Sequence, residues 1–437
     1  MSGGLILAAP ASASGKTTLT LALLRHFRNS GKAIASAKAG PDYIDPAFHG
    51  AASGTPCLNL DAWAMRRETI AALVASLERR AELVLCEGAM GLFDGAGQAG
   101  GGSTGDLAAL TGWPVVLVVD VAGQAGSAAA LLRGFISHRP DVPVAGVIFN
   151  RVGGPRHAGM LENSVRTALP GLPILGHVPR LAELALPERH LGLVQAAEHP
   201  DLDGFLDRAA SLVSAAIDLE RLVRLARSSS LAALPAAQPL PPLGQRIAVA
   251  RDVAFAFTYP AMLEGWRSAG AEITLFSPLA DEAPAADADA VFLPGGYPEL
   301  HAARLAGNRR FLAGLAAASA HAAVIYGECG GYMVLGRGLI DASGTRHAMA
   351  GLLPLETSFA ERRRQLGYRQ ARLAAAGPLG KAGAAFRGHE YHYATIIDEG
   401  GGTPLFAAAD ADAGDLGLTG RIEGRVMGSF LHLVDRA

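Results

Sequence analysis

The stretch Leu5–Thr18, LILAAPASASGKTT, decides how the first half of this chain folds. Its first four residues are apolar and predict a buried β-strand. The small residues that follow, ending in the tripeptide GKT, predict a tight turn that opens a helix over Thr17–Asn29. A Walker A loop has the pattern G-x-x-x-x-G-K-[ST], and the stretch departs from it only at the first glycine, where Pro10 stands. Since the N–H groups of such a turn bind phosphate, the stretch predicts a nucleotide site.

The predicted nucleotide site combines this loop with the end of a later strand. Lys16 would place a charge on the outer phosphates, and the Thr17 hydroxyl would ligate Mg²⁺. A chance GKT in a surface turn is the alternative, but the position between a strand and a helix favours the site. Asn150 ends the apolar run Val144–Phe149 and either reads the nucleotide base or opens an ordinary loop. The predicted nucleotide-binding residues are Ser12, Ser14, Gly15, Lys16, Thr17, Thr18 and Asn150.

Acidic residues follow two further apolar runs. Asp42 and Asp45 come after one run, and Glu87 comes directly after the other. Because ligands of open α/β sheets gather at the carboxyl ends of the strands, we expect these side chains near the phosphates. Mg²⁺ takes one or two carboxylates together with phosphate oxygens, so Thr17, Asp45 and Glu87 are the predicted metal ligands. For Asp45, which a proline follows, a turn or helix-capping role is the alternative.

The alternation of short apolar runs with helical patterns predicts an α/β fold with two doubly wound domains. A stretch rich in Ser, Ala and Pro predicts a linker at 228–244, between domains at 1–227 and 245–437. Gly95–Gly105 is glycine-rich and predicts a mobile loop beside the nucleotide. The predicted strands are Leu5–Ala8, Ala33–Lys38, Leu83–Cys86, Val115–Val119 and Val144–Phe149 in the first domain, and Ile247–Ala250, Val291–Leu293 and Val324–Tyr326 in the second.

Composition narrows the class of protein. The 437 residues suffice for two domains, and the formal net charge of -2 gives no basic field for nucleic acid. No uncharged apolar run approaches the roughly 20 residues that cross a bilayer, and the N-terminus lacks the pattern of a signal peptide. The three cysteines, Cys57, Cys86 and Cys329, are too far apart for a disulfide framework or a zinc knuckle. We therefore expect a cytoplasmic protein that binds neither nucleic acid nor membrane.

Cys329 is the candidate nucleophile of the second domain. It follows the strand Val324–Tyr326 and precedes two glycines, as in a nucleophile elbow, where glycines permit a cramped turn. N–H groups at the helix start would lower the thiol pKa. N–H groups of Gly295, Gly296 and Gly330 would stabilise an oxyanion. An inert buried thiol is the alternative for Cys329, and it is the expected role of Cys57 and Cys86.

The partner base is predicted to be a histidine later in the chain. His432, in GSFLH near the C-terminus, is the candidate, although a lone histidine is more often a satisfied surface or core residue. Arg387–Tyr393, RGHEYHY, forms a second cluster that lacks the H-E-x-x-H spacing of a helical zinc site. Its alternating side chains predict a strand that docks a polar substrate or the other domain, or an ordinary amphipathic strand.

Several long motifs, in order, resemble the cobyrinic and hydrogenobyrinic acid a,c-diamide synthases over nearly the whole chain. The motifs are Ala9–Thr18, Lys38–Phe48 (KAGPDYIDPAF), Glu87–Gly95 (EGAMGLFDG), Pro294–Leu300 (PGGYPEL), Glu328–Tyr332 (ECGGY), Gly388–Tyr393 (GHEYHY) and Gly428–His432 (GSFLH). The resemblance implies a P-loop NTPase-like synthetase domain similar to dethiobiotin synthetase, followed by a flavodoxin-like class I glutamine amidotransferase domain.

The resemblance also implies an activity and its partners. The family uses ATP, Mg²⁺ and glutamine to amidate the a and c carboxylates of a corrinoid in vitamin B12 biosynthesis, through acyl phosphates. Asp42, Tyr43 and Ile44 match its corrinoid-binding segment, and Cys329 and His432 match its glutaminase pair. Many class I amidotransferases carry a glutamate two residues after the histidine; Val434 stands there, which leaves Asp435 as a weak candidate for orienting His432. A homodimer is one expectation for the assembly.

Two other functions remain open at this point. One is the cobyric acid synthase type, which amidates other corrinoid carboxylates; the strings at 41–46 and 388–393 favour the diamide synthases. The other is a partition-type switch ATPase with an inactive glutaminase domain. The intact Cys329, its two glycines and His432 disfavour that function.

Overall fold

The chain folds into two units. In this computed structural model, the described residues are 2–180, 184, 188–189, 192–193, 195–232, 234 and 239–437. The first unit comprises Met1–Trp63 and Arg67–Ala237, and the second comprises Ala64–Arg66 and Gln238–Ala437. Residues 233 and 235–238 of the predicted linker lie outside the described residues.

A seven-stranded parallel sheet forms the centre of the first unit, in the order β3-β2-β4-β1-β5-β6-β7. Its central strands are buried along their whole length, as strands covered by helices on both faces must be. The strands of the unit are β1 (Gly3–Ala8), β2 (Ile34–Ala39), β3 (Leu58–Leu60), β4 (Leu83–Glu87), β5 (Val115–Asp120), β6 (Val144–Val152), β7 (Ile174–Pro179) and the short pair β8 (Glu188–Arg189) and β9 (Gly192–Leu193).

Helices cover this sheet and connect its strands. They are α1 (Lys16–Asn29), α2 (Ile44–Ser53), α3 (Arg67–Arg80), α4 (Thr104–Thr111), α5 (Ser127–His138), α6 (Pro155–Ala168), α7 (Leu202–Ser214) and α8 (Leu219–Leu225). The α/β class is confirmed. The expected loop over Gly95–Gly105 is too long, because Ser103 and Asp106 form a reciprocal capping box that starts α4 at Thr104.

The second unit is built on a ten-stranded sheet in the order β11-β10-β12-β13-β22-β21-β20-β17-β18-β23. The part from β11 to β22 is parallel, as the α/β pattern predicts, and the rest is antiparallel. The strands of this sheet are β10 (Arg246–Ala250), β11 (Glu272–Phe276), β12 (Ala290–Leu293), β13 (Val324–Glu328), β17 (Gln365–Leu373), β18 (Ala385–His392), β20 (Thr403–Ala409), β21 (Asp415–Glu423), β22 (Val426–Ser429) and β23 (His432–Arg436).

A smaller four-stranded sheet and four α-helices complete the second unit as described. The sheet has the order β15-β14-β16-β19. Its strands are β14 (Gly338–Ile340), β15 (Arg346–Ala348), β16 (Glu356–Ser358) and β19 (Thr395–Asp398), and the helices are α9 (Pro260–Ser268), α10 (Ala302–Gly307), α11 (Arg309–Ala320) and α12 (Gly330–Leu335).

The antiparallel part of the large sheet curls back on itself. β22 and β23 are far apart in the order of the sheet, yet only Phe430 and Leu431 separate them in the chain. So short a connection spans about 10 Å at most, so the outer edge must return close to β22. The curl brings the start of β23 near the carboxyl ends of the parallel strands.

In the described part of the chain, no helix combines the length and the apolar character that a membrane span requires.

Gly4 tests how tightly the first unit is packed. A β-carbon at Gly4 would lie 2.2 Å from the ring of Trp113, which is fully buried. We expect Gly4→Ala to lower the free energy of unfolding by about 1–3 kcal/mol through overpacking. Gly159→Ala is the matched control: the site is exposed in α6 with no atom within 4 Å, so alanine should stabilise by about 0.5–1 kcal/mol. Thermal unfolding should show a lower melting temperature for Gly4→Ala and a higher one for Gly159→Ala. Equal changes in melting temperature would contradict the tight packing of Gly4 against Trp113.

Candidate active sites

The loop after β1 surrounds the start of α1 in the first unit. Ala13 and Gly15 have positive φ angles of 60° and 88°, which turn successive N–H groups toward one side. A β-carbon at Gly15 would lie 2.2 Å from Asn150 Nδ2, and this amide donates a hydrogen bond to the Ser14 carbonyl at 2.9 Å. The structure thus brings Asn150, from the end of β6, against the loop.

A cavity of about 400 Å³ opens beside this loop. Gly15, Thr18 and Asn150 line it, together with Arg151 and Arg180. Ser12 is exposed on the loop, and Ser14 is buried with its hydroxyl donating to the Ala11 carbonyl at 2.8 Å. Of the predicted loop side chains, only Thr18 therefore lines the cavity as described.

Glu87 is the centre of a buried charge cluster at the end of β4. Lys38 Nζ lies 2.9 Å from Glu87 Oε1 and 2.6 Å from Asp45 Oδ2. Thr17 donates to Glu87 Oε1 at 2.6 Å, and His49 Nε2 lies 2.7 Å from Glu87 Oε2. The structure therefore brings Thr17, Asp45 and Glu87 together, and the two carboxylates share the ammonium group of Lys38, which no sequence motif had marked.

Electrostatics keep this carboxylate charged although it is fully buried. Burial alone would raise the pKa of Glu87, but Lys38 and His49 outweigh it and hold that pKa below its usual range. Burial would likewise lower the pKa of Lys38, and the neighbouring carboxylates of Asp45 and Glu87 raise it well above its ordinary value. The cluster is therefore a set of mutually dependent charges.

Lys16 is tethered in the same region. Its ammonium group donates to the Met90 carbonyl at 2.8 Å, and Met90 holds a positive φ of 45°. Burial lowers the pKa of Lys16, and Glu87 partly offsets that effect. A phosphate that binds at the start of α1 would compete with the Met90 carbonyl for this group.

The predicted corrinoid segment lies at the start of α2. Asp42 Oδ1 accepts a hydrogen bond from the Ile44 N–H at 2.7 Å, so this side chain holds the turn into α2. Burial and then Asp45 raise the pKa of Asp42 to about 7. Tyr43 is half-buried, whereas Ile44 is buried. Of the three residues, Ile44 presents the least side-chain surface to a ligand.

Cys329 sits at a strained turn between β13 and α12 in the second unit. Its φ of 47° and ψ of -102° are unusual for a residue with a β-carbon, as at the nucleophile of an elbow. A β-carbon at Gly331 would lie 1.9 Å from the Leu293 carbonyl oxygen, and one at Gly330 would lie 3.1 Å from the Gly296 nitrogen. The turn at 295–296 and the elbow are therefore in contact.

His432 lies at the same place. It is buried, and a β-carbon at Gly295 would lie 2.4 Å from its Cε1 atom. The Cys329 N–H also donates a hydrogen bond to the Ser429 carbonyl at 2.8 Å. Ser429 ends β22, the strand that leads to His432. The structure thus brings together Cys329, the glycines at 295, 296 and 330, and His432.

The expected lowering of the Cys329 pKa is wrong for this state of the protein. Burial raises the pKa of the thiol above its ordinary value, and the negative charge of Glu299 adds to the effect. The hydrogen bond from the Gly330 N–H opposes them only in part. The resting group is a thiol, so its proton has to leave when glutamine is attacked.

Asp435, the sequence candidate for orienting His432, is bound by Arg66. Its carboxylate accepts a hydrogen bond from the Arg66 backbone N–H at 2.9 Å and another from the Arg66 guanidinium at 2.8 Å. The carboxylate that faces His432 is Glu328, whose Oε2 atom lies 3.7 Å from His432 Nδ1. Glu328 directly precedes Cys329, but no local pattern in the sequence marks it as a partner of His432.

Family comparisons define the class of protein. The CobQ/CobB/MinD/ParA nucleotide binding domain matches residues 5–194, and the CobB/CobQ-like glutamine amidotransferase domain matches residues 246–436. The two matches agree with the loop after β1 and with the cysteine elbow. A chain with both domains is a glutamine amidotransferase that uses a nucleotide.

Full-length relatives narrow the class to one family. Hydrogenobyrinate a,c-diamide synthase of Brucella abortus is 54% identical over 436 residues, covering 99% of this chain and 98% of the relative. The protein of the same name from Rhizobium meliloti is 54% identical, and the match covers 99% of this chain and 99% of the relative. The one from Rhodobacter capsulatus is 52% identical, and the match covers 99% of this chain and 98% of the relative. The chain belongs to the family of the hydrogenobyrinate a,c-diamide synthases.

Lys38 tests the charge cluster of the first unit. We expect Lys38→Met to lower the free energy of unfolding by about 3–5 kcal/mol, because it leaves buried carboxylates without their cation. Lys32→Met is the matched control, since Lys32 makes only a surface ion pair with Glu82, worth at most about 1 kcal/mol. Calorimetric melting compares the variants. A Lys38→Met protein as stable as Lys32→Met would show that the cluster does not depend on this ammonium group.

Proposed function

We propose that this protein amidates the a and c carboxylates of the cobalt-free corrinoid hydrogenobyrinic acid, with glutamine as nitrogen donor and ATP as the source of activation. The contact among Cys329, the 295–296 turn and His432 carries the glutaminase half of the proposal. The names of the relatives support the choice of the cobalt-free acid. The proposed division of labour follows the predicted domains, 1–227 for activation and 245–437 for glutamine hydrolysis.

Glutamine hydrolysis would begin at the elbow. The Cys329 sulfur attacks the carboxamide carbon while His432 accepts the thiol proton, and His432 then gives it to the departing ammonia. N–H groups of the 295–296 turn and of Gly330 stabilise the oxyanion, where each donor contributes roughly 10²–10³ in rate. Water hydrolyses the glutamyl thioester and regenerates Cys329.

Carboxylate activation would take place beside α1. A corrinoid carboxylate oxygen attacks the γ-phosphorus of ATP, ADP leaves, and an acyl phosphate forms. The N–H groups of the loop and Lys16 hold the outer phosphates, and the cavity lined by Asn150 receives the base. Ammonia then attacks the acyl carbon and displaces inorganic phosphate, and a second round gives the diamide.

Mg²⁺ fits the proposed site through the chemistry of its donors. Among the residues that the structure describes, no three His, Cys, Asp or Glu side chains are arranged to hold a metal, so phosphate oxygens have to complete the set. Thr17, Asp45 and Glu87 would hold the ion, because all three present oxygens, the two carboxylates already share a cation, and Thr17 is bonded to one of them. When bound, Mg²⁺ would offset phosphate charge.

Cys329→Ala separates the two halves of the reaction. We expect it to abolish diamide formation with glutamine and to leave formation with ammonium salts intact, because free ammonia replaces only the glutaminase step. Mass spectrometry after incubation with ATP and hydrogenobyrinic acid would detect the two acid-to-amide conversions. Cys86→Ala, a buried cysteine of β4 without an elbow, is the control and should keep both reactions.

The same assay with cobyrinic acid tests the choice of corrinoid. Equal or faster conversion of the cobalt-containing acid would contradict the cobalt-free assignment. No conversion of either acid, with ATP still hydrolysed, would refute corrinoid amidation altogether.

A further inference from the structure

The strand that carries GHEYHY lies directly against the proposed base. β18 pairs with β23, and His389 is the residue opposite His432. A β-carbon at Gly388 would lie 2.1 Å from the His432 carbonyl oxygen, so glycine is needed for this approach. The motif, which the proposed chemistry leaves without a role, is therefore the immediate neighbour of His432.

Ring stacking joins the two histidines. The rings of His389 and His432 are nearly parallel, with an interplanar angle of 10° and centroids 4.8 Å apart. His389 is itself held, because its Nε2 atom shares a hydrogen bond with the Tyr259 hydroxyl at 2.8 Å. Tyr259 is buried where α9 begins. The stack thus fixes the plane of the His432 ring from one face.

His392, the second histidine of the motif, makes a similar ring stack with a residue just before His432. His392 stacks on Phe430 with centroids 3.9 Å apart, and it is held by Glu390 at 2.9 Å. Phe430 belongs to the short connection that leads into β23. Both histidines of one strand therefore brace the segment that presents His432.

Three groups surround the His432 ring. Glu328 faces its Nδ1 atom, His389 covers one face, and the Cys329 elbow lies in the same place. Burial, then His432 and Arg369, lower the pKa of His389, so this neighbour stays neutral. The ring that receives the thiol proton therefore has a neutral aromatic partner and a carboxylate beside it.

We propose that Tyr259 and His389 act as positioning residues, which hold the His432 ring in the orientation that proton transfer with Cys329 requires. The proposal rests on the proposed roles of Cys329 and His432. If the His432 ring were free to tilt, the enzyme would still bind glutamine, but the ring would spend less time in the reactive geometry. Loss of either positioning residue should therefore lower kcat and leave KM unchanged.

Glutamine hydrolysis by the full-length protein tests this role. We expect His389→Ala to lower kcat up to about 100-fold with KM for glutamine changed less than about 3-fold. His389→Phe keeps a flat ring without the bond to Tyr259 and should recover part of that loss, and Tyr259→Phe should fall between His389→Phe and wild type. Amidation of hydrogenobyrinic acid with ammonium, which bypasses Cys329, should be unchanged in all three. His347→Ala, a histidine of β15, is the control and should match wild type.

The outcomes separate this proposal from the one it rests on. Wild-type kcat in His389→Ala, equal loss in the alanine and phenylalanine variants, or parallel loss of the ammonium reaction would overturn the positioning role. Cys329→Ala is run alongside: if it still hydrolyses glutamine, the proposed glutaminase site itself is wrong.

Discussion

The close approach of main chains at the carboxyl ends of parallel strands is the constraint on which both sites depend. In the second unit, the elbow touches the main chain of β12, and Gly295 leaves room for the His432 ring. In the first unit, Gly15 leaves the same kind of room for Asn150. A β-carbon at any of these positions would separate groups that have to meet, which explains why the motifs of this chain are rich in glycine.

Buried charge is the second organising feature, and the two units use it differently. Glu87 is stabilised by cations and donors from three other elements, so the end of β4 carries a buried and compensated negative charge. Cys329 has the opposite surroundings, since burial and nearby carboxylates keep its proton in place. The first site thus holds a charged carboxylate among compensating cations, whereas the second holds a protonated thiol until a substrate and a correctly oriented base are present.

Sequence patterns predicted the structure correctly where the residues involved are neighbours in the chain. The apolar runs, the GKT loop and the ECGG elbow predicted the parallel sheet of the first unit, the parallel part of the large sheet in the second and the residues that converge, because a strand end and the turn after it are adjacent in the chain. The groups that were missed, Lys38, His49, Glu328 and His389, act through partners distant in sequence, which only pairing and packing reveal. Asp435 is bound by Arg66, another partner that lies far away in the sequence.

The most direct test of the account is the fate of oxygen during amidation. Hydrogenobyrinic acid carrying ¹⁸O in its a and c carboxylates would be converted with ATP and glutamine, and the inorganic phosphate analysed by ³¹P NMR. Activation as an acyl phosphate predicts one ¹⁸O atom in phosphate for each amide formed. Label that appears in AMP, or phosphate without label while the diamide accumulates, would contradict the mechanism.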